Sequence, residues 1–210
     1  MNTKERAREV IGRLKKEYPE PKTALLYREP FELLVATILS AQATDALVNK
    51  VTEALFRKYT SVRDYAETPL EDLQHHVRSV NFYKTKAKNI QAAAKMVVES
   101  YGSKVPQTME ELTKLPGVAR KTANIILFNA FGINAGIAVD THVNRLANRL
   151  GLTKQEDPVK VEADLMKLVP RVDWGVFSHL VILHGRKVCQ ARKPNHEACI
   201  LYELCPSRDI

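Results

Sequence analysis

Every cysteine of the chain lies in its last 22 residues. Cys189, Cys199 and Cys205 are joined by His196 in the spacing C-x6-H-x2-C-x5-C. Three thiolates and an imidazole so close along the chain can close a four-coordinate site around zinc or hold an iron–sulfur cluster. The loop inside the first interval carries Arg192 and Lys193. Pinned at both ends by ligands, it can hold those cations against a phosphate. A second feature stands upstream, in Leu115-Pro116-Gly117-Val118-Ala119-Arg120-Lys121-Thr122. Proline ends one helix, Gly117 permits a backbone turn that larger residues resist, and a second helix starts at once. The N–H groups at that start, helped by Arg120, can grip a phosphate without reading a base.

The elements that must position these groups are helices. Periodicity near 3.6 runs through almost every segment, and no segment alternates as a strand does. Residues 31–40 are almost wholly apolar and predict a buried central helix. Val48, Val51, Leu55 and Tyr59 form a stripe over 46–59. Ala87, Ile90, Ala94, Val97 and Tyr101 form another over 85–101, stopped by Gly102. Thr108-x-x-Glu111 reads as a capping box opening a helix to Leu115. Helices follow over 120–131, from Asp140 to Gly151, from Asp157-Pro158 onward, and over 174–184. The expected fold is all-α, in two helical lobes with a turn near 132–138 as the boundary: residues 23–135, and residues 1–22 with 136–210.

The chain of 210 residues is 45% apolar and 27% charged, a globular balance, with formal net charge +8. That surplus favours a polyanionic partner such as nucleic acid. The charged N-terminus has no signal-peptide pattern, and no apolar run reaches membrane-spanning length. A cytoplasmic, nucleoid-associated monomer with reduced thiols is the expectation.

The hairpin LPGVARKTAN, the following AVDTH, SAQATD at 40–45, VILHGRKVC at 181–189 and the terminal ligand cluster occur in one order over nearly the whole chain. Together they resemble the endonuclease III group of helix–hairpin–helix DNA glycosylases. The resemblance implies a six-helix barrel-like lobe bearing the hairpin, a metal-cluster lobe built from the N-terminal helix and the C-terminal third, and a DNA-binding cleft between them. It implies that a damaged pyrimidine is flipped out of double-stranded DNA. A lysine amine then expels the base, forms a Schiff base and cuts the abasic strand. Lys121 matches that lysine and Asp140 the essential aspartate. An amine attacks only when unprotonated, which a helix start, the adjacent Arg120 and partial burial would favour. Asp140, at an N-cap, would stabilise the cationic sugar or help position the attacking group. Gln42 matches a polar plug and Phe82 a wedge for the hole left by the flipped base, while Ser40, Asp45 and His142 match pocket positions. Leu115, Gly117, Ala119, Arg120 and Thr122 join Arg192 and Lys193 as expected DNA-contacting positions.

Three departures stand out. The group's usual Gly-Leu-Tyr is Asn81-Phe82-Tyr83 here, which bears on opposite-strand preference. The hairpin's usual LPGVG is LPGVA; alanine resists positive φ, so Ala119 is either not left-handed or strained. The cluster's second cysteine is His196. A [4Fe–4S] cluster on three Cys and one His is expected, with [3Fe–4S] or zinc as alternatives. Alternatives in function also stay open: the same scaffold acting on uracil or mismatched thymine, and a non-catalytic module for DNA docking or redox sensing. Ala36-Thr37-Ile38 supplies none of the glutamate that adenine-removing members carry before the SAQ-like stretch.

Overall fold

The structure, a computed structural model, describes residues 1–208. The described residues contain helices and no strand, as expected for an all-α chain. Helix α1 (Thr3–Glu17) opens with a reciprocal capping box between Asn2 and Glu5. Helix α2 (Pro30–Ser40) is buried continuously from Phe31 to Leu39, because that run has no polar face to turn to water. Its one carboxylate, Glu32, accepts from the Arg28 backbone N–H at 2.6 Å and from its guanidinium, which occupies it structurally. Helix α3 (Asp45–Lys58) starts on the Thr44 cap and buries Val48, Thr52, Leu55 and Phe56. Two short helices follow, α4 (Val62–Glu67) and α5 (Leu70–Val77). The long α6 (Tyr83–Tyr101) stops at Gly102, which takes the left-handed conformation at φ 58°.

Helix α7 (Met109–Leu112) is capped by Thr108 but ends three residues before Leu115. The expected longer helix is replaced by successive tight turns, Lys114 N–H to Glu111 and Leu115 N–H to Leu112. The approaching Pro116 disfavours helical geometry in the residue before it. Helix α8 (Arg120–Phe131) follows the hairpin. Helices α9 (Thr141–Arg149), α10 (Pro158–Leu168) and α11 (Trp174–Lys187) complete the set. A 3-10 turn at Arg171–Asp173 leads into α11, and another at Tyr202–Leu204 lies among the terminal cysteines.

The chain divides into two compact units, Thr23–Gly132 and Met1–Lys22 with the segment from Ile133 on. Residues 133–135, counted with the middle of the chain in the sequence reading, belong to the second of these. Asn134 explains the shift: its Oδ1 accepts from Gly175 N–H and its Nδ2 donates to the Val172 carbonyl. In the Thr23–Gly132 unit, α2 is packed by α8, α3 and α6. In the other unit, Val10 and Leu14 of α1 meet Val143 and Leu146 of α9, Leu165 of α10 and Leu180 of α11 in one apolar core. Cys189, Cys199 and Cys205 pack against the edge of that core.

Candidate functional site

The hairpin belongs to the Thr23–Gly132 unit. Leu115 is 2% exposed, and its carbonyl accepts from Val118 N–H at 3.0 Å. Its side chain anchors the turn in the core, so a contact of Leu115 with DNA would have to use its main chain. Gly117 is exposed and has φ 80°. A Cβ there would stand 3.0 Å from Asn89 Cβ and 3.2 Å from its Nδ2. The backbone conformation therefore favours glycine, and Asn89 would have to give way to any larger residue. Ala119 has φ −86° and ψ 171°, extended rather than left-handed. It is the N-cap of α8 and, being alanine, offers no side-chain cap. The first-turn N–H groups of α8 thus lack a side-chain acceptor at Ala119 and are oriented to receive an anion. Arg120 and Lys121 are exposed in this turn, and Thr122 is half-buried.

Lys121 departs from expectation in one respect. Partial burial was expected, but the side chain is exposed. The inward face of α8 is made by Ala123, Asn124, Ile126 and Leu127, and Lys121 lies off that face.

In the same unit, Gln42 and Phe82 are both exposed and both left-handed, at φ 55° and 57°. The Asn81 side chain joins their two turns by donating to the Gln42 carbonyl at 3.2 Å. Ser40 is half-buried and donates to the Thr37 carbonyl at 2.8 Å, and Asp45 is half-buried at the start of α3.

In the other unit, Asp140 is the N-cap of α9, as expected, with Oδ1 accepting from Val143 N–H at 2.8 Å. Among the described residues its Oδ2 takes no hydrogen bond. Two residues on, His142 Nδ1 lies 3.2 Å from Arg145, which also donates to the carbonyls of Gly185 and Cys189. Burial holds the His142 imidazole below its ordinary pKa, against the opposing pull of Asp140. Arg149, at the far end of α9, donates to Cys189 Sγ at 3.3 Å and to the Gln190 and Ala191 carbonyls at 2.8 Å. One helix therefore carries Asp140 at its start and holds the first cysteine's loop along its length. Arg192 and Lys193 stand exposed beyond that anchored base.

Cys189, His196, Cys199 and Cys205 line one open pocket. No three described His, Cys, Asp or Glu side chains converge closely enough to grasp one ion. Buried His184 lies with Nε2 3.5 Å from Cys199 Sγ and Nδ1 3.3 Å from the Tyr18 hydroxyl. Its pKa is pushed down to about 4 by burial, so it is neutral and carries one ring proton. If Cys199 is a thiolate, that proton sits on Nε2 and points at the sulfur, while Tyr18 donates to Nδ1. Burial is also the leading cause that raises the Cys199 and Cys205 thiols. A metal would have to displace those protons.

Residues 35–171 match the family described as HhH-GPD superfamily base excision DNA repair protein. The endonuclease III of Synechocystis sp. is 54% identical over 204 residues, 97% of this chain and 93% of that one. The chain belongs to the endonuclease III family. It is accordingly a base excision repair enzyme, a DNA glycosylase with abasic-site lyase activity, which sets aside the reading as a non-catalytic module. The endonuclease III of Bacillus subtilis is 50% identical, covering 90% of this chain and 86% of that one. A solved endonuclease III, trapped as a covalent intermediate with DNA in an estranged-adenine complex, superposes with TM-score 0.93 at 45% identity. It covers 99% of this chain and 98% of its own. Members of the endonuclease III family carry an iron–sulfur cluster.

Asn81 stood out in the sequence only as a departure from the group's glycine, and Arg145, Arg149, His184 and Lys86, whose ammonium donates to the Leu39 and Ala41 carbonyls, did not stand out as site residues. Lys86 left a signal. It falls on the apolar stripe of α6 with Ile90, Ala93 and Val97, and a lysine on such a stripe must bury its ammonium or leave the helix face. Arg145 and Arg149 carried no signal, because most of their acceptors are main-chain carbonyls some 40 residues away.

Proposed function

We propose that the chain removes oxidised pyrimidines from double-stranded DNA and cleaves the abasic strand through a Schiff base on Lys121. The observation that carries this reading is the position of Lys121, exposed in the first turn of α8, directly after a hairpin whose cap residue cannot cap. Leu115, Gly117 and Ala119 shape the hairpin, and Arg120 and Thr122 flank the lysine. A phosphate held by the α8 N–H groups places the neighbouring sugar beside the amine. A nucleotide drawn against Lys121 supplies the desolvation that the free chain lacks. The unprotonated amine bonds to C1′ as the bond to the base breaks and the base leaves with the electron pair. The sugar ring then opens to the imine. Loss of a C2′ proton expels the 3′ phosphate and cuts the strand. Asp140 stabilises the positive charge on the sugar and positions the attacking group, using the carboxylate oxygen that the α9 cap does not occupy.

Gln42 plugs and Phe82 wedges the space vacated by the flipped nucleotide. Ser40, Asp45 and His142 are assigned to the base pocket, His142 as a neutral ring. Cys189, His196, Cys199 and Cys205 are assigned as ligands of a [4Fe–4S] cluster. Three thiolates and an imidazole suit such a cluster, and the same Cys3His set suits zinc as the alternative. When bound, the cluster supplies a rigid cross-link that holds Arg192 and Lys193 toward a phosphate. The chain acts as a monomer in the cytoplasm, at the nucleoid. No helix among the described residues is long and apolar enough to cross a membrane.

Borohydride reduction tests the central step. Wild-type protein on duplex abasic DNA should yield a covalent adduct, and Lys121→Ala should yield none. Absence of the wild-type adduct would refute the Schiff-base assignment. Competition among duplexes carrying oxidised pyrimidine, uracil or mismatched thymine ranks the substrates.

A further inference from the structure

The turn between α2 and α3 and the start of α6 are cross-linked by donors that all come from one side. Asn81 Nδ2 donates to the Gln42 carbonyl at 3.2 Å. Lys86 Nζ donates to the Leu39 carbonyl at 2.8 Å and also to that of Ala41. The Lys86 backbone N–H closes the loop by donating to the Phe82 carbonyl at 3.1 Å. Residues 39–42 and 81–86 are thus one bonded unit, and its two exposed tips are Gln42 and Phe82.

Two observations argue that this unit does more than support the fold. Both tips hold left-handed backbone although neither is glycine, a conformation that persists where the surroundings enforce it and that clusters at binding sites. Phe82 is 65% exposed, an apolar ring presented to water on a rigid base. Lys86 is 6% exposed, and burial lowers its pKa. Among the described residues its acceptors are main-chain carbonyls. The dipole of its own helix opposes a cation in the first turn, whereas the C-terminal carbonyls of α2 favour one. The ammonium is therefore placed for the α2 end and the loop beyond it, not for α6.

We propose that Asn81 and Lys86 are positioning residues that hold Gln42 and Phe82 as a single preformed probe of the duplex, with discrimination of the base opposite the lesion depending on the Asn81–Gln42 bridge. This rests on the reading of Gln42 as plug and Phe82 as wedge. Preforming matters because two independently mobile tips would each lose conformational freedom on entering the stack. Asn81 stands where the group's usual residue is glycine, which has no side chain to make the bridge.

The test uses a duplex with 2-aminopurine opposite a tetrahydrofuran abasic analogue, whose fluorescence rises when the probe unstacks that base. The signal is normalised to borohydride adduct yield on single-stranded abasic DNA, which has no opposite base. For Asn81→Ala the normalised signal should fall about fivefold, the worth of one net hydrogen bond. The ratio of excision rates with adenine or guanine opposite the lesion should shrink by the same factor. Lys86→Met should lower the signal at least as far. Should that variant not fold, Asn81→Ala decides alone, since its site is exposed. Wild-type fluorescence and wild-type discrimination in Asn81→Ala would overturn the inference while leaving the Schiff-base chemistry intact. Wild-type fluorescence in Phe82→Ala would instead overturn the wedge reading, and the inference with it. Failure of the wild-type adduct is a separate result and strikes the proposed function.

Discussion

Replacing Gly117 by alanine is the most direct challenge to the hairpin. The residue holds φ 80°, which an L side chain adopts at a cost of about 1 kcal/mol. The added Cβ would also meet Asn89 Cβ at 3.0 Å and Nδ2 at 3.2 Å. Relieving that crowding costs about 1 kcal/mol more, the low end for overpacking, because Asn89 is only half-buried. Together about 2 kcal/mol is lost, and the melting midpoint should fall by roughly 4–8 °C for a protein of this size. Affinity for undamaged duplex should fall as well, because a displaced turn misaims the α8 N–H groups. A double-mutant cycle tests the two causes. Asn89→Ala in the Gly117→Ala background removes the amide contact at 3.2 Å but keeps the Cβ at 3.0 Å, so it should recover only part of the crowding cost and leave the whole backbone part, a rescue of less than half the loss. The assays are thermal and chemical denaturation, and fluorescence anisotropy on a labelled duplex at fixed salt. Full stability in Gly117→Ala would show that the turn is not constrained as described, and complete rescue by Asn89→Ala would show that its backbone conformation carries no penalty.

Asp140→Asn should melt as the wild type does, because asparagine caps a helix as well as aspartate. Its single-turnover excision should nevertheless drop by about 10²-fold or more, and unchanged turnover would remove Asp140 from the chemistry. Arg149→Met deletes the donors to Cys189 Sγ and to the carbonyls of Gln190 and Ala191. It should lose roughly 3 kcal/mol together with bound iron, measured by denaturation and elemental analysis; full iron content would deny Arg149 a part in holding the loop. His196→Cys adds a thiolate and should lower the cluster's reduction potential in a spectroelectrochemical titration, and an identical potential would exclude His196 as a ligand. Burial depresses the imidazoles of His142 and His179, so the unfolded chain binds protons near pH 6.5 that the folded chain refuses. Stability should therefore be greatest above about pH 6.5 and decline as pH falls below it. A denaturation series from neutral to mildly acidic pH that shows no decline would contradict the neutral-histidine description.

Most of the helix plan was legible along the chain because local rules suffice for it. The α2 run has no polar face, Asp140 and Asp157 cap within their own turns, and Gly102 stops α6 by its own backbone freedom. The short helices α4 and α5 were missed because six and eight residues carry too few turns for periodicity to register. The segment after Thr108 was read too long, since the approach to Pro116 ends α7 early.

By itself the sequence determined the helical class, the spacing of the three cysteines and His196, the lysine at a helix start and the aspartate at a helix cap. Those properties depend on residue type and short intervals. Tertiary structure alone decided that Lys121 is exposed, that Ala119 is extended, and that Leu115 anchors the turn from the core. It also decided that Asn81 and Lys86 tie two distant turns into one unit, and that Arg145 and Arg149 fasten the first cysteine's loop to α9. The physical reason is common to all of these. Exposure is set by what other segments cover, and carbonyl acceptors are identical at every position, so their partners become known only once the chain has folded back on itself.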